Sequence, residues 1–297
     1  MSKEVKGVLA ANLTPFKAGG LEVDYDWVPR HLDYLRGKGI DGVVCLGTNG
    51  EGPSLTMAER KRVIDTVLAS RNGLIVVAGT GTPSLPDTIE ISRYALERGV
   101  DALMVVPPFF YREAPTEGLI AYYRSLFKAL PSNAVVYLYN IPRLSGIEIS
   151  DELLDALSKE FPKQLAGLKD TSGSLEKTVH YIQRFPKLSV LSGSDSHIGP
   201  AAKAGAAGAV SGVANVAPHL AKAVRQAYDT GGDVDAAQAR LSRVRDLFRA
   251  YPELAAYKHA LTLLAGLPPA AVRPPNVELS ADQKRKLEQE LRTVLGQ

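Results

Sequence analysis

Three short stretches of this chain carry side chains suited to covalent chemistry. In "LAGLKDTSG", residues 165–173, Lys169 stands near the end of a run that is otherwise apolar or small. Strand alternation puts Lys169 and Asp170 on opposite faces, so an inward Lys169 would be partly desolvated. Desolvation lowers an ammonium pKa and supplies the neutral amine that Schiff-base formation requires. The competing reading is a strand-end lysine with its head in water, the commoner fate of the residue type. In "GTNGEGPSL", residues 47–55, glycines permit a tight turn whose successive N–H groups can nest a carboxylate, and Thr48 adds a hydroxyl. The alternative there is an ordinary loop with Glu51 bonded to backbone. In "YLYNIPRLSG", residues 137–146, Tyr139 ends an apolar strand just before a turn on Asn140 and Pro142. A phenol in that place either moves protons or packs as a core aromatic.

Other chemistries find less support. No Lys-Ser or Lys-Thr follows the glycines at 47–52, which excludes a phosphate loop of the nucleotide-binding type. His31, His180, His219 and His259 fall in helical patterns and only His197 follows a strand end. With no His-x-His or Glu-x-x-His, no metal site is expected. "SGSDSHIG", residues 192–199, suits either a phosphate, as late barrel loops often do, or a helix cap using Ser194 or Asp195. The single cysteine, Cys45, lies in the apolar run "GVVCLG" and allows neither an intrachain disulfide nor a Cys-based metal site.

These candidates need a scaffold that brings distant segments together. Eight strand-like runs lie at 7–16, 41–47, 74–81, 102–110, 134–142, 165–172, 188–196 and 208–215, with amphipathic helical patterns between them. Thr56 with Glu59 forms a capping box, Asp87 with Glu90 a related start, and Gly99 a stop. Near-continuous apolar strands alternating with helices imply a parallel sheet covered on its faces, and eight units imply closure into an α/β (β/α)8 TIM barrel. After Gly231 the strand signal ends. Helical patterns at 234–250, 252–266 and 281–295, with a Pro-rich connection at 267–280, read as an appendage. The expected division is a catalytic barrel at 1–231 and a helical extension at 232–297.

In such a barrel the site lies at the C-terminal strand ends. The polar residues there are Thr14, Thr48 with Asn49, Thr80 with Thr82, Tyr111, Tyr139, Lys169 to Thr171, and Ser192 to Ser196.

Composition is consistent with this scaffold. At 297 residues, 45% apolar and 23% charged, the chain has material for one large core. The formal charge is only +3 and the basic residues are dispersed, which argues against nucleic acid as a partner. Residues 1–10 hold no basic segment followed by a long apolar stretch. No window approaches eighteen uninterrupted apolar residues, so no membrane association and a cytoplasmic location are expected.

With these residues assembled, the chain resembles the family of dihydrodipicolinate synthase and N-acetylneuraminate lyase, the pyruvate-dependent class I aldolases. "GTNGE", "YNIPRLSG" and "GLKDTSG" occur in family order at three strand ends, and the likeness runs from about Gly7 to about Ser280. The resemblance implies a Schiff base between Lys169 and the keto carbon of pyruvate or another 2-oxo acid. It implies Tyr139 as proton shuttle, Thr48 as its hydrogen-bonded neighbour, and the N–H groups of Thr48 and Asn49 as holders of the substrate carboxylate. Val210 would line the pyruvate site with backbone. No cofactor or metal is implied, and the family's habit is a homotetramer built as a dimer of dimers.

Two positions depart from the synthase pattern. Leu144 stands where the synthase has an arginine for the aldehyde's carboxylate, with Arg143 one place earlier. Phe110 stands where the synthase lends a tyrosine to a neighbouring subunit, with Tyr111 one place later. In extended chain a one-residue displacement redirects a side chain, so Arg143 need not point into the chamber. "YNIPRLSG" is similar to the sialate lyase version, "GPSL" to 2-keto-3-deoxygluconate aldolases, and "TNGE" to 4-hydroxy-2-oxoglutarate aldolases. The expectation is an aldolase cleaving a 4-hydroxy-2-oxo acid, of the 2-keto-3-deoxy sugar acid type, to pyruvate and an aldehyde. Alternatives are a sugar-acid dehydratase using the same imine, the lysine-pathway synthase, and a non-catalytic sugar-acid binding barrel.

Overall fold

The computed structural model describes residues 5–296, so the outermost ends of the two expected segments, 1–4 and 297, lie outside the described residues. Eight parallel strands among the described residues close a barrel: β1 (Gly7–Ala10), β2 (Gly42–Cys45), β3 (Ile75–Gly79), β4 (Ala102–Val105), β5 (Val136–Asn140), β6 (Leu165–Asp170), β7 (Ser189–Ser192) and β8 (Gly208–Ser211). Each pairs with the next, and β8 returns to β1 with Val210 opposite Leu9. The outer layer is α1 (Trp27–Gly37), α2 (Met57–Ala69), α3 (Leu85–Arg98), α4 (Thr116–Ala129), the one-turn α5 (Pro142–Ser145), α6 (Asp151–Glu160), α7 (Leu175–Arg184), α8 (Ile198–Lys203) and α9 (Pro218–Thr230). Then follow α10 (Val234–Arg249), α11 (Glu253–Leu264) and α12 (Ala281–Leu295).

The strands read as apolar runs because both faces are buried. On β2, Val43 and Cys45 face the helices while Val44 faces the barrel axis, where it meets Leu9, Val77, Met104 and Tyr137. That alternation creates two cores from one strand set. The strands are shorter than the apolar runs that announce them. The first run, for instance, leaves the barrel after Ala10, and Phe16 instead forms isolated antiparallel bridges with Val23 and Ala271. The excess apolar residues pack in the loops at the C-terminal mouth.

Helix starts follow local capping chemistry. Thr56 and Glu59 form the reciprocal box, and Gly99 closes α3 in the left-handed region at φ 93°. The expected start at Asp87 is corrected: α3 begins at Leu85, capped by the Ser84 hydroxyl, which accepts from the Asp87 N–H. Pro86 occupies the first turn, where a missing N–H costs nothing, and so moves the start upstream of Asp87.

The C-terminal helices share the barrel's outer core. Phe248, Tyr257, Leu261, Leu287 and Leu291 belong to the same buried cluster as Trp27 and Leu32, and the Trp27 indole N–H donates to the Pro268 carbonyl at 2.9 Å. Each such side chain contributes roughly 1.5–3 kcal/mol on full burial. No helix among the described residues is long and apolar enough to cross a membrane.

Candidate active site

Tyr139 on β5 and Lys169 on β6 are register partners on adjacent strands. Lys169 is 6% exposed, and its Nζ lies 4.0 Å from the centroid of the Tyr139 ring. The Tyr139 hydroxyl meets Thr48 Oγ1 at 3.2 Å, which brings in the loop after β2. Val210 on β8 and Asn49 complete the set. All five residues, Thr48, Asn49, Tyr139, Lys169 and Val210, line one cavity of about 300 Å³ at the C-terminal mouth.

Neighbouring side chains hold this pair in place from outside the barrel. Asp170 points away from Lys169, as alternation requires. Its carboxylate accepts from Asn140 Nδ2 at 2.8 Å, Thr178 Oγ1 at 2.6 Å, Ser172 Oγ at 2.9 Å and the Ser172 N–H at 3.1 Å. Asn140 Oδ1 in turn accepts from the Ile149 N–H. The residues following Tyr139 and Lys169 are thus tied to each other and to α7, which fixes the two strand tips against sliding.

The electrostatics favour a phenol that gives up its proton readily. Burial pushes the Tyr139 pKa up, but the charge of Lys169 and the hydrogen bond with Thr48 act in the opposite sense and leave it below the ordinary tyrosine value. In the loop after β2, the Glu51 N–H donates to the Thr48 carbonyl at 3.0 Å and the Gly52 N–H to the Gly47 carbonyl at 3.1 Å. The N–H groups of Thr48 and Asn49 donate to no acceptor among the described residues. Two adjacent free N–H groups beside a lysine make a receptor for a carboxylate.

Other strand-end candidates are placed elsewhere. Thr80 accepts from Ser92 Oγ, and Thr82 joins Thr88 and Tyr122, both within the helical layer. Tyr111 and Phe110 lie on the exposed β4–α4 loop, 72% and 74% accessible. The capping role expected of Ser194 or Asp195 is corrected: α8 begins after His197 without a side-chain cap. Asp195 reaches instead to the end of β8, accepting from Ser211 Oγ and from the Gly212 and Val213 N–H groups at 3.2 Å each. The direction of Arg143, open in the sequence, is fixed in the structure. Both Arg143 and Leu144 line the chamber, because this segment is the helical turn α5, in which consecutive side chains diverge by about 100° and not by the 180° of extended chain.

Sequence reasoning missed Gly193, Arg245, Arg249 and Glu253. Gly193 abuts Lys169, and a Cβ at that position would stand 2.9 Å from the lysine Cε. Arg245 and Arg249 reach the chamber from α10. Their spacing of four residues on one helix was the available signal, but nothing in sequence placed that helix at the barrel mouth. A smaller cavity of about 130 Å³ opens beyond Tyr139, walled by Leu46, Met104, Val106, Phe109 and Leu144. Among the described residues no three His, Cys, Asp or Glu side chains gather as a metal would need.

Comparison with known proteins gives the family and the fold. The sequence pattern of the dihydrodipicolinate synthetase family matches residues 4–294. An uncharacterized DapA-like lyase of Chloroflexus aurantiacus is 44% identical over 280 residues, 94% of each chain. A 4-hydroxy-tetrahydrodipicolinate synthase of Methanopyrus kandleri is 32% identical over 303 residues, 99% of this chain and 98% of the relative. Among solved structures, YagE from E. coli K12, a prophage protein of the dihydrodipicolinic acid synthase family crystallised with pyruvate, superposes with a TM-score of 0.90 at 26% identity, over 98% of both chains.

Proposed function

The chain belongs to the dihydrodipicolinate synthetase family and is a class I lyase or aldolase; we propose that it cleaves a 4-hydroxy-2-oxo acid of the 2-keto-3-deoxy sugar acid type to pyruvate and an aldehyde. One arrangement carries this reading. Lys169 lies against a Tyr139–Thr48 hydroxyl pair, beside two free N–H groups and below a wall that mixes donors with acceptors. That wall, with Arg143, Arg245 and Arg249 as donors and Asp195 and Glu253 as acceptors, suits the hydroxyls of a sugar acid.

The chemistry follows from those positions. The free amine of Lys169 attacks the keto carbon, and the carbinolamine hydroxyl takes a proton from solvent and leaves as water to give a cationic imine. Tyr139, as phenolate, takes the proton of the C4 hydroxyl. The electrons of the C3–C4 bond pass to the imine nitrogen, and the aldehyde departs from the enamine so formed. The Tyr139 hydroxyl then returns its proton to C3, and water hydrolyses the imine to release pyruvate and regenerate the amine. The Thr48 and Asn49 N–H groups hold the carboxylate throughout, and Val210 lines the pyruvate site. With this reading come a homotetramer and a cytoplasmic location.

A second reading, the synthase, is favoured by Arg143 in the chamber and by the Methanopyrus relative. The test is a panel of 2-oxo acids assayed for pyruvate release, together with borohydride reduction in the presence of pyruvate and peptide mapping. The expected adduct is on Lys169. Labelling of another lysine, or none, overturns the mechanism, and release of no pyruvate from any 4-hydroxy-2-oxo acid overturns the substrate class.

A further inference from the structure

We infer that the buried pair Glu51–Lys258 positions the loop that receives the substrate carboxylate, which makes α11 and the segment at 271–276 a support of the substrate site. The inference rests on the carboxylate role assigned above to the Thr48 and Asn49 N–H groups. Glu51 follows that loop directly, is 3% exposed, and sits in the left-handed region at φ 51°; Leu46, at the loop's other end, does so at φ 59°. Neither is glycine, so each holds a sparsely populated backbone conformation that the surroundings must enforce.

The enforcement comes from more than 200 residues downstream. Glu51 Oε1 accepts from Lys258 Nζ of α11 at 2.6 Å, and Oε2 accepts from the Arg273 N–H at 3.0 Å and Asn276 Nδ2 at 2.9 Å. Lys258 is 1% exposed, also donates to the Ala271 carbonyl at 2.7 Å, and lies 4.7 Å from the Phe16 ring. The Glu51 N–H then closes the loop on the Thr48 carbonyl. A chain of bonds therefore runs from α11 through the Glu51 carboxylate to the peptide whose neighbours face the substrate. Both side chains are fully buried, and direct bonds between them fix the geometry.

The loop has no slack to find another position. A Cβ at Gly52 would overlap the Leu46 carbonyl, and one at Gly79 would lie 2.8 Å from it. Loss of the pair would let Glu51 relax toward an ordinary backbone conformation and turn the Thr48 and Asn49 N–H groups off the carboxylate.

The experiment is borohydride trapping of wild-type and variant enzyme over a range of pyruvate concentrations, with steady-state cleavage measured alongside. Glu51→Gln combined with Lys258→Met removes both charges without stranding either. It should raise half-saturating pyruvate by at least about tenfold, the scale of one lost charge-assisted hydrogen bond, while turnover at saturation stays within about threefold. Asn276→Ala, at an exposed position, removes one donor and should raise it by about threefold. Leu287→Ala cuts a buried side chain from α12, so it destabilises the C-terminal helices and should leave half-saturation unmoved. Unchanged half-saturation in both Asn276→Ala and the folded double variant overturns the inference, as does an equal rise in Leu287→Ala. Wild type that pyruvate fails to trap overturns the Schiff-base reading, and this inference with it.

Discussion

Gly193 at the end of β7 touches the aliphatic stem of Lys169 on β6, close enough that a Cβ on residue 193 would stand 2.9 Å from the lysine Cε and overlap Thr171 Oγ1. The glycine is there for space, since its φ is not in the left-handed region. Its N–H is engaged with the Asp170 carbonyl at 2.7 Å, so the backbone cannot retreat. The Thr171 hydroxyl and the lysine stem must move instead, which shifts the amine from its present place against the Tyr139 ring.

Gly193→Ala should therefore cut turnover by roughly two orders of magnitude, the cost of about 1 Å of misplacement at a reacting atom. The thermal transition should remain cooperative. Turnover within threefold of wild type in a folded Gly193→Ala variant would show that Lys169 does not need this path.

Tyr139 and Thr48 make a prediction whose sign is set by the hydrogen bond between them. Cleavage needs the phenolate, so its rate rises with pH through the Tyr139 pKa, which lies below the ordinary tyrosine value. The Thr48 hydroxyl stabilises the phenolate; Thr48→Val removes that bond at nearly constant volume and raises the pKa. The ascending limb of turnover should move to higher pH in Thr48→Val. In Tyr139→Phe it should vanish, with turnover lower by roughly 10²- to 10⁴-fold. A limb that stays in place in Thr48→Val separates Thr48 from the relay.

The barrel was legible because its signal is redundant: every strand is an apolar run between helices, and any one of them could be misjudged without losing the fold. Lys169, Tyr139 and Thr48 were legible because polar residues at the tips of such runs stand out. Arg245, Arg249 and the partners of Glu51 were not. They reach the mouth from helices whose sequences show only ordinary amphipathic spacing, and their placement depends on how α10 and α11 dock, a long-range property. The direction of Arg143 was not legible for a local reason: Pro142 starts a single helical turn, and one turn is too short to leave a periodic pattern. Gly193 was hidden because a glycine that makes room for a neighbour looks like one that makes a turn.

His31 offers a test of the packing that supports β8. It is fully buried beside Trp27, with ring centroids 4.9 Å apart, and its Nε2 meets the Asn215 carbonyl at 3.3 Å. Burial lowers its pKa from 6.5 to about 4. A histidine whose folded pKa is depressed favours the fold when neutral, so its contribution is complete above pH 6.5 and is lost as pH falls toward 4. The full loss is about 3 kcal/mol. Thermal melts of wild type and His31→Gln between pH 7 and 4.5 should show the steeper decline in wild type, since glutamine can donate to Asn215 and does not titrate. Parallel declines would place the acid sensitivity elsewhere.

The acceptor specificity turns on how Arg143 meets solvent. Its guanidinium lines the chamber but is exposed, and an exposed charge pair contributes only about 0–1 kcal/mol. The synthase reaction needs more than that from its arginine, because the carboxylate of aspartate semialdehyde must be drawn out of water and held by two oxygens at once. Leu144, beside it, gives no donor. Arg245 is better placed: its side chain is 17% exposed, and it shares the wall with Asp195 and Glu253. We expect the specificity constant for cleaving a 2-keto-3-deoxy sugar acid to exceed that for condensing pyruvate with aspartate semialdehyde by at least about 100-fold, on the scale of leaving a buried polar group unpaired. Arg143→Ala should change the KM for cleavage by less than about threefold, whereas Arg245→Ala should raise it about tenfold, as loss of a partly buried charged hydrogen bond does. If the semialdehyde proves the better substrate and Arg143→Ala abolishes its use, Arg143 closes over the chamber once substrate is bound, and the chain is a synthase.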